Sequence, residues 1–205
     1  MYVPSHNRMD ERAKQLAFMR QYSFAALVSA GAGLQATHLP LVVGEEGGAV
    51  RLLGHQARAN PQWREFADGA EVLAIFQGPH AYVSPSLYQH QPSVPTWNYA
   101  AVHAAGRLRL RDSREDRLRI LRELVAVTDP PYLARMEQLP EDFLTLKLKG
   151  IVAFEIEVTR LEARWKLSQD RTPEERRAIA GALAGHADGA ARETAALMRA
   201  LDPAP

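Results

Sequence analysis

Three stretches of the 205-residue chain gather polar and aromatic side chains for which a purely structural segment has little use. In the first, Thr37-His38-Leu39-Pro40 is followed by Gly54-His55-Gln56-Ala57-Arg58-Ala59-Asn60-Pro61-Gln62-Trp63. Asn60 before Pro61 marks a helix start, with an amide N-cap and a proline at the first helical position. A strand ending here delivers His55 and Arg58 to a helix N-terminus, where free backbone N–H groups and the macrodipole favour an anion such as phosphate. The same residues also read as an ordinary capped helix beside a solvated arginine. In the second stretch, Val94-Pro95-Thr96-Trp97-Asn98-Tyr99, a rigid turn sets an aromatic pair around an amide. That group offers stacking surface and hydrogen bonds to a flat heterocycle, or else an aromatic core anchor. The third, Trp165-Lys166-Leu167-Ser168-Gln169, presents a cation, a hydroxyl and an amide in succession. Lys166 can pair with phosphate and Ser168 and Gln169 can reach a ring edge, unless this is a solvated strand end.

Other chemistries find no anchor. The seven histidines are scattered, with no pair at i, i+4 and no carboxylates at metal-ligand spacing, which argues against a metalloenzyme. The chain has no cysteine, hence no disulfide, thiolate ligand or thiol nucleophile. There is no G-x-S-x-G elbow, Walker A loop or strand-linked G-x-G-x-x-G, and Gly31-Ala32-Gly33 reads as a turn. Lysine and arginine total 25 against 24 acidic residues, so no global positive field draws the molecule to nucleic acid or an anionic membrane. Neither a signal-peptide core nor an apolar run of membrane-spanning length is visible, and a cytoplasmic location is the expectation.

The elements that position these stretches follow from periodicity. A helix over Asp10 to Gln21 turns Leu16, Phe18 and Met19 inward, after an extended Tyr2-Val3-Pro4 arm that must lean on something. Short β-prone runs then cover Phe24 to Ser29, Leu34 to Val43 and Ala49 to Gly54, separated by glycine turns. Pro61 to Ala67 reads as a short helix, and Glu71 to Gln77 with His80 to Ser84 as a hairpin across Gly78-Pro79. Tyr99 to Arg111 alternates, with Ala100, Val102, Ala104, Leu108 and Leu110 on one face and arginines on the other. Ser113-Arg114-Glu115-Asp116 opens a helix that buries Leu118, Leu121, Leu124 and Val125 and stops at Asp129-Pro130-Pro131. A second helix spans Pro140 to Gly150. Ile151 to Arg164 alternates again, with Val152, Phe154, Ile156 and Val158 inward and Glu155 and Glu157 outward. Thr172-Pro173-Glu174-Glu175 is a capping box opening an Ala-rich helix broken near Gly185 and Gly189. Six or seven antiparallel strands with inserted rather than alternating helices predict an α+β chain, mainly β, built as a small closed barrel. Residues 1–171 form the barrel domain and 172–205 a C-terminal helical appendage.

The three stretches, together with Met1-Tyr2-Val3-Pro4, Ala81-Tyr82-Val83-Ser84-Pro85-Ser86 and Ala100-Ala101-Val102-His103, closely resemble the signatures of the PaiB-type FMN-binding negative transcriptional regulators. The resemblance runs in order from residue 1 to about 171. It implies a split β-barrel of the pyridoxamine-phosphate-oxidase-like class, homodimeric, with FMN at the subunit interface. By that analogy His55, Ala57, Arg58, Ala59 and Asn60 hold the phosphate and ribityl chain, Thr96, Trp97, Asn98, Lys166, Ser168 and Gln169 flank the cofactor, and Thr37 and His38 belong to the same cofactor-binding set. Two departures stand out: Leu87-Tyr88 and a shortened Gln89 to Ser93 run replace the family's Trp-Tyr and Pro-Ser-Lys, and His103-Ala104-Ala105-Gly106 replaces His-Ala-His-Gly. The family label implies a DNA partner, but the chain shows no helix-turn-helix and no strongly basic recognition helix. An FMN-dependent oxidoreductase acting on a small molecule remains the alternative.

Overall fold

The computed structural model describes residues 1–31, 33–66, 69–89 and 91–201. Helix α1 (Arg12–Gln21) leads into β1 (Phe24–Ser29), β2 (Gln35–Pro40), β3 (Val42–Glu46) and β4 (Ala49–Ala57). A 3-10 turn at Pro61–Glu65 precedes β5 (Glu71–Val83), and another at Pro85–Leu87 precedes β6 (Thr96–Leu110). Three helices follow, α2 (Arg114–Thr128), α3 (Leu133–Met136) and α4 (Glu141–Lys149), then the long β7 (Ile151–Lys166) and the C-terminal pair α5 (Pro173–Ala184) and α6 (Gly189–Leu201). The strands form one antiparallel sheet of the split-barrel class in the order β2-β1-β5-β6-β7-β4-β3. Two compact units share them: Met19–Phe76 with His103–Leu161, and Met1–Phe18 with Gln77–Val102 and the chain from Glu162.

In the first unit, strand alternation sends Leu27, Leu52, Phe76, Leu108, Phe154 and Ile156 into a fully buried core, joined by Phe66 edge-on to Phe154 at 5.9 Å. The register is antiparallel throughout, with Val28 opposite Leu73 and Leu52 opposite Ile156. The run read as one strand from Leu34 to Val43 is two, broken at Leu41, whose N–H donates to the Ser23 carbonyl at 2.9 Å while its side chain is buried. The helix expected from Pro61 is a 3-10 turn ending at Glu65, and Ala67 lies outside the described residues, as does Ala32 of the glycine turn. Ser113 caps α2 by accepting from the Asp116 N–H at 3.0 Å, but Ile120 is its fully buried residue, with Leu118, Leu121, Leu124 and Val125 only half-buried. Glu155 is not outward either. It is buried between Arg51 and Arg111, whose Nε donates to it at 3.1 Å. Burial pushes this carboxyl up, but the hydrogen bonds from Arg51 and Arg111 outweigh that and hold it below the usual range.

In the second unit, the expected hairpin across Gly78-Pro79 is one continuous strand, β5. Gly78 is there for close approach: a Cβ would stand 2.5 Å from Phe18 Cζ and 3.3 Å from the Ala100 carbonyl. Phe18 in turn packs at 4.8 Å against Trp165. The N-terminal arm leans on β7 of its own chain. Arg164 donates to the Tyr2 carbonyl at 3.1 Å and lies over the Tyr2 ring at 5.6 Å, while the Met9 N–H donates to Ala163. Thr172 and Glu175 form a reciprocal capping box on α5, and Ile179, Ala180 and Leu183 of α5 are buried alongside Ala191, Ala195 and Met198 of α6. The helices break at Gly185 and Gly189 as read; Asp202 to Pro205 lie outside the described residues.

Candidate cofactor site

The sequence-derived residues fall into two groups, one in each unit. The first is built on β2, β4 and the turn that follows. Asn60 Nδ2 donates to Thr37 Oγ1 at 2.8 Å while its Oδ1 accepts from the Gln62 N–H at 3.0 Å, so one amide caps the turn and ties it to β2. Gln62, 1% exposed, donates through Nε2 to the Leu27 carbonyl at 3.1 Å. Arg58, expected as a phosphate cation, donates through Nη2 to both Asp112 oxygens at 2.9 Å and to the Ile151 carbonyl at 2.8 Å. Its guanidinium also lies 5.6 Å from the Trp63 ring centre, and Trp63 Nε1 donates to the Arg58 carbonyl at 2.9 Å. Arg58 is thus a tie-point with its charge already answered.

Two side chains of β4 keep buried polar atoms without hydrogen-bond partners among the described residues. His55 is half-buried, its Nδ1 has no hydrogen-bond partner among the described residues, and burial pushes its pKa down, disfavouring the charged imidazolium. Gln56, 4% exposed, has neither amide atom partnered. Such orphans cost roughly 1–3 kcal/mol each unless something else satisfies them. His38 is exposed and stacked on Phe24 at 6.2 Å, and Ala57 and Ala59 are exposed.

The second group is built on the start of β6 and the end of β7. Asn98 is fully buried; its Nδ2 donates to Ser168 Oγ at 2.9 Å and approaches Met198 Sδ at 3.5 Å, and the Ser168 hydroxyl donates back to Asn98 Oδ1 at 3.2 Å. Ser168 has φ 64°, a left-handed conformation that non-glycine residues adopt at a cost. Gln169 Oε1 accepts from the Leu167 N–H at 2.7 Å, and its Nε2 donates to the Trp165 carbonyl, fixing the turn from within. Lys166 Nζ donates to Thr96 Oγ1 at 2.5 Å and to the Trp97 carbonyl at 2.8 Å, and pairs with no carboxylate among the described residues. Burial lowers its pKa.

Beside this cation stands an exposed aromatic set. Trp97 is 53% exposed and lies 5.9 Å from the His80 ring and 6.1 Å from the half-exposed Tyr82 ring. Trp97 is therefore not a core anchor; buried Trp165 takes that role. His80 and Tyr82 were missed as candidates because they sit beyond a Gly-Pro read as a turn, although one uninterrupted period-2 strand puts them on one face. Asp112, the partner of Arg58, carries no local signal at 54 residues' separation. The donor chemistry of both groups fits FMN: flat apolar rings and amides for a heterocycle, an unneutralised ammonium for a phosphate, and an orphaned imidazole nitrogen. Among the described residues no cluster of three or more histidine or acidic side chains could hold a metal ion.

Comparison with known proteins points to the same cofactor. The family model described as "Putative FMN-binding domain" matches residues 1–160. Protease synthase and sporulation protein PAI 2 of Bacillus subtilis is 36% identical over 202 residues, covering 97% of this chain and 96% of that protein. The flavocytochrome Anf3 of Azotobacter vinelandii superposes with a TM-score of 0.61 at 12% identity, over 80% of this chain and 72% of that one. The FAD and heme binding protein of Mycobacterium smegmatis gives 0.56 at 16% identity, over 84% and 80%. At those identities the two structures speak for the fold alone. The chain belongs to the PaiB-like family of FMN-binding split-barrel proteins.

Proposed function

We propose that this chain is a homodimeric, cytoplasmic FMN protein of regulatory rather than metabolic role, with the flavin held between subunits by the two residue groups described above. The observation that carries the reading is Lys166, a partly desolvated ammonium that pairs with no carboxylate among the described residues and stands beside an exposed aromatic surface. Bound FMN would supply electron transfer, and the protein's share is binding and electrostatics. In this reading Lys166 pairs with the phosphate, and Trp97 lends a ring face. Asn98 and Ser168 hold that segment in place, and His55 presents an unprotonated nitrogen to the ribityl chain. Arg58, bonded to Asp112, positions the Ala57 to Asn60 backbone instead of meeting the phosphate with a free charge.

A second copy is supported by the outer face of β1 and β5. There Ala26 opposes Ile75 and Val28 opposes Leu73, all half-exposed, and Phe24 is 65% exposed at the end of the row. Apolar rows of this kind are covered in oligomers. No helix of the described residues is long and apolar enough to cross a membrane. The regulatory role follows the family resemblance.

Titration of apo protein with FMN and with riboflavin, read by flavin fluorescence, tests the cofactor site. FMN binds at least about tenfold more tightly, because charge-assisted bonds of roughly 1.5–3 kcal/mol are lost with the phosphate. Lys166→Ala abolishes most of that preference. Equal affinity for the two flavins rejects the phosphate assignment. Sedimentation giving a monomer that still binds one FMN per chain rejects the interface. Rapid NADH or NADPH consumption by the loaded protein favours the oxidoreductase alternative.

A further inference from the structure

We propose that Arg164, held by the Tyr2 arm, is the second cation of the flavin phosphate seat, so that Lys166 and Arg164 together answer both charges of a phosphate monoester. The inference rests on the reading of Lys166 given above. A phosphate monoester carries close to two negative charges at neutral pH, and one ammonium answers one of them. Arg58 is bonded to Asp112 and is not free to meet the other. The second charge has to come from elsewhere, and β7 supplies it two residues before Lys166. Ala163, Trp165 and Leu167 are buried, so the half-buried Arg164 and Lys166 share the opposite face of the strand, about 6.6 Å apart along it.

Arg164 pairs with no carboxylate among the described residues. Its Nη1 donates to the Tyr2 carbonyl at 3.1 Å, and its guanidinium lies 5.6 Å from the Tyr2 ring centre and 5.3 Å from that of Tyr99. Its buried Nε has no hydrogen-bond partner. A carbonyl and two rings thus fix where the group stands and leave its charge unneutralised. The charged groups around the pair are Glu162, which accepts from the Met1 ammonium at 2.6 Å, and Asp170, which lies 3.9 Å from Arg171. Burial does most to lower the Lys166 pKa; Asp170 opposes that, and Arg164 and Arg171 add to it. Lys166 and Arg164 therefore repel each other, and a dianion bound across both removes that repulsion. The arm has its task here: Tyr2 is 79% exposed and adds little to the core, but its ring and carbonyl keep Arg164 at the seat.

The test is the ratio of FMN to riboflavin affinity in full-length apo protein, read by flavin fluorescence at several pH values on either side of the second phosphate ionisation. Riboflavin lacks the phosphate and reports whether each variant still forms a flavin site. Arg164→Gln lowers the ratio at least about fivefold and leaves riboflavin affinity within about twofold of the parent, as the loss of one charge-assisted contact does. Lys166→Ala leaves a residual preference for FMN, and the double variant Lys166→Ala with Arg164→Gln brings the ratio to about one, because no cation of the seat is left. In the parent the ratio climbs as pH rises through about 6, where the phosphate loses its second proton, and Arg164→Gln flattens that climb. Tyr2→Ala, at an exposed position, lowers the ratio about two- to fivefold by removing one ring from the guanidinium. An unchanged ratio and an unchanged pH profile in Arg164→Gln, with Lys166→Ala still losing its preference, overturn the inference and leave the flavin reading standing. A ratio near one in the parent rejects that reading itself. If Arg164→Gln loses riboflavin binding as well, Tyr2→Ala decides, and a ratio equal to the parent's there overturns the inference.

Discussion

The Asn98 amide and the Ser168 hydroxyl satisfy each other across 70 residues of sequence, Nδ2 donating to Oγ at 2.9 Å and Oγ donating to Oδ1 at 3.2 Å, with both side chains buried. The pair locks the start of β6 to the turn that follows β7, and it does so at a serine held at φ 64°. Where a residue is kept in a costly conformation, the surrounding bonds have to outweigh that cost.

Asn98→Ala therefore removes a buried donor and acceptor together and leaves Ser168 unpartnered. The expected loss of stability is about 1–3 kcal/mol by urea denaturation of apo protein. Ser168→Gly, which relieves the left-handed conformation while deleting the hydroxyl, costs less than Asn98→Ala, because the two effects oppose each other. The double variant is clearly less destabilised than the sum of the singles, as for any directly coupled pair. Strict additivity would show that the two side chains do not depend on each other.

Gly78→Ala tests the continuous β5 strand. The added methyl meets the Phe18 ring at 2.5 Å, too close for any real contact, so the ring must move or the strand must shift. Overpacking of this kind costs about 1–3 kcal/mol. Phe18→Leu in the same background recovers part of the loss by making room. A hairpin turn at Gly78-Pro79 would give a different result, since an alanine there would be insensitive to residue 18.

That glycine also shows where sequence reading stops. β1 was legible to the residue because its alternation is local, and the capping box at Thr172 because all its atoms lie within four residues. Gly78-Pro79 carries the composition of a turn, and what makes it strand is Phe18, sixty residues upstream. Glu155 reads as an outward charge until Arg51 and Arg111 arrive from two other strands. Likewise Arg58 looks like a free cation for want of any sign that Asp112 will meet it. Local periodicity thus gave most of the strands. Which polar groups are already spent on each other is settled by contacts between distant segments, and no window of sequence holds that information.

With Lys166 paired to the flavin phosphate as proposed, this residue sets the pH dependence of flavin binding. Its pKa is lowered by burial, so the ammonium loses its proton below the ordinary lysine range, and the attraction for a phosphate is lost with it. FMN affinity falls as pH rises through that lowered pKa, while riboflavin affinity stays flat over the same window. Binding phosphate favours the charged form, so the fall in the loaded protein lies at higher pH than in the free one. Lys166→Arg, which stays protonated, flattens the FMN profile. A parallel fall for both flavins would point to loss of structure instead of loss of one charge.

The basic row that continues from β6 into α2 is the best place to look for DNA binding, and the structure shows how little free charge it holds. Arg111 pairs with Glu155, Arg114 with Glu141, Arg117 with Asp112, Arg119 with Asp116 and Glu123, and Arg122 with Glu137. Arg107 and Arg109 are exposed, but two cations release few counterions from a duplex, and counterion release supplies most of non-specific affinity. With a net charge of +1 on the whole chain, no long-range field compensates. Binding to random duplex at roughly physiological salt is therefore weaker than about 10⁻⁵ M, with a shallow salt dependence. Fluorescence anisotropy against pooled genomic fragments at several salt concentrations, with and without FMN, measures it. Arg109→Glu changes that weak binding by no more than about twofold, since one exposed phosphate contact contributes little at that salt. Nanomolar binding to a subset of fragments, abolished by the same substitution, would mean that Arg107 and Arg109 read a groove and that the chain represses transcription by contacting DNA itself.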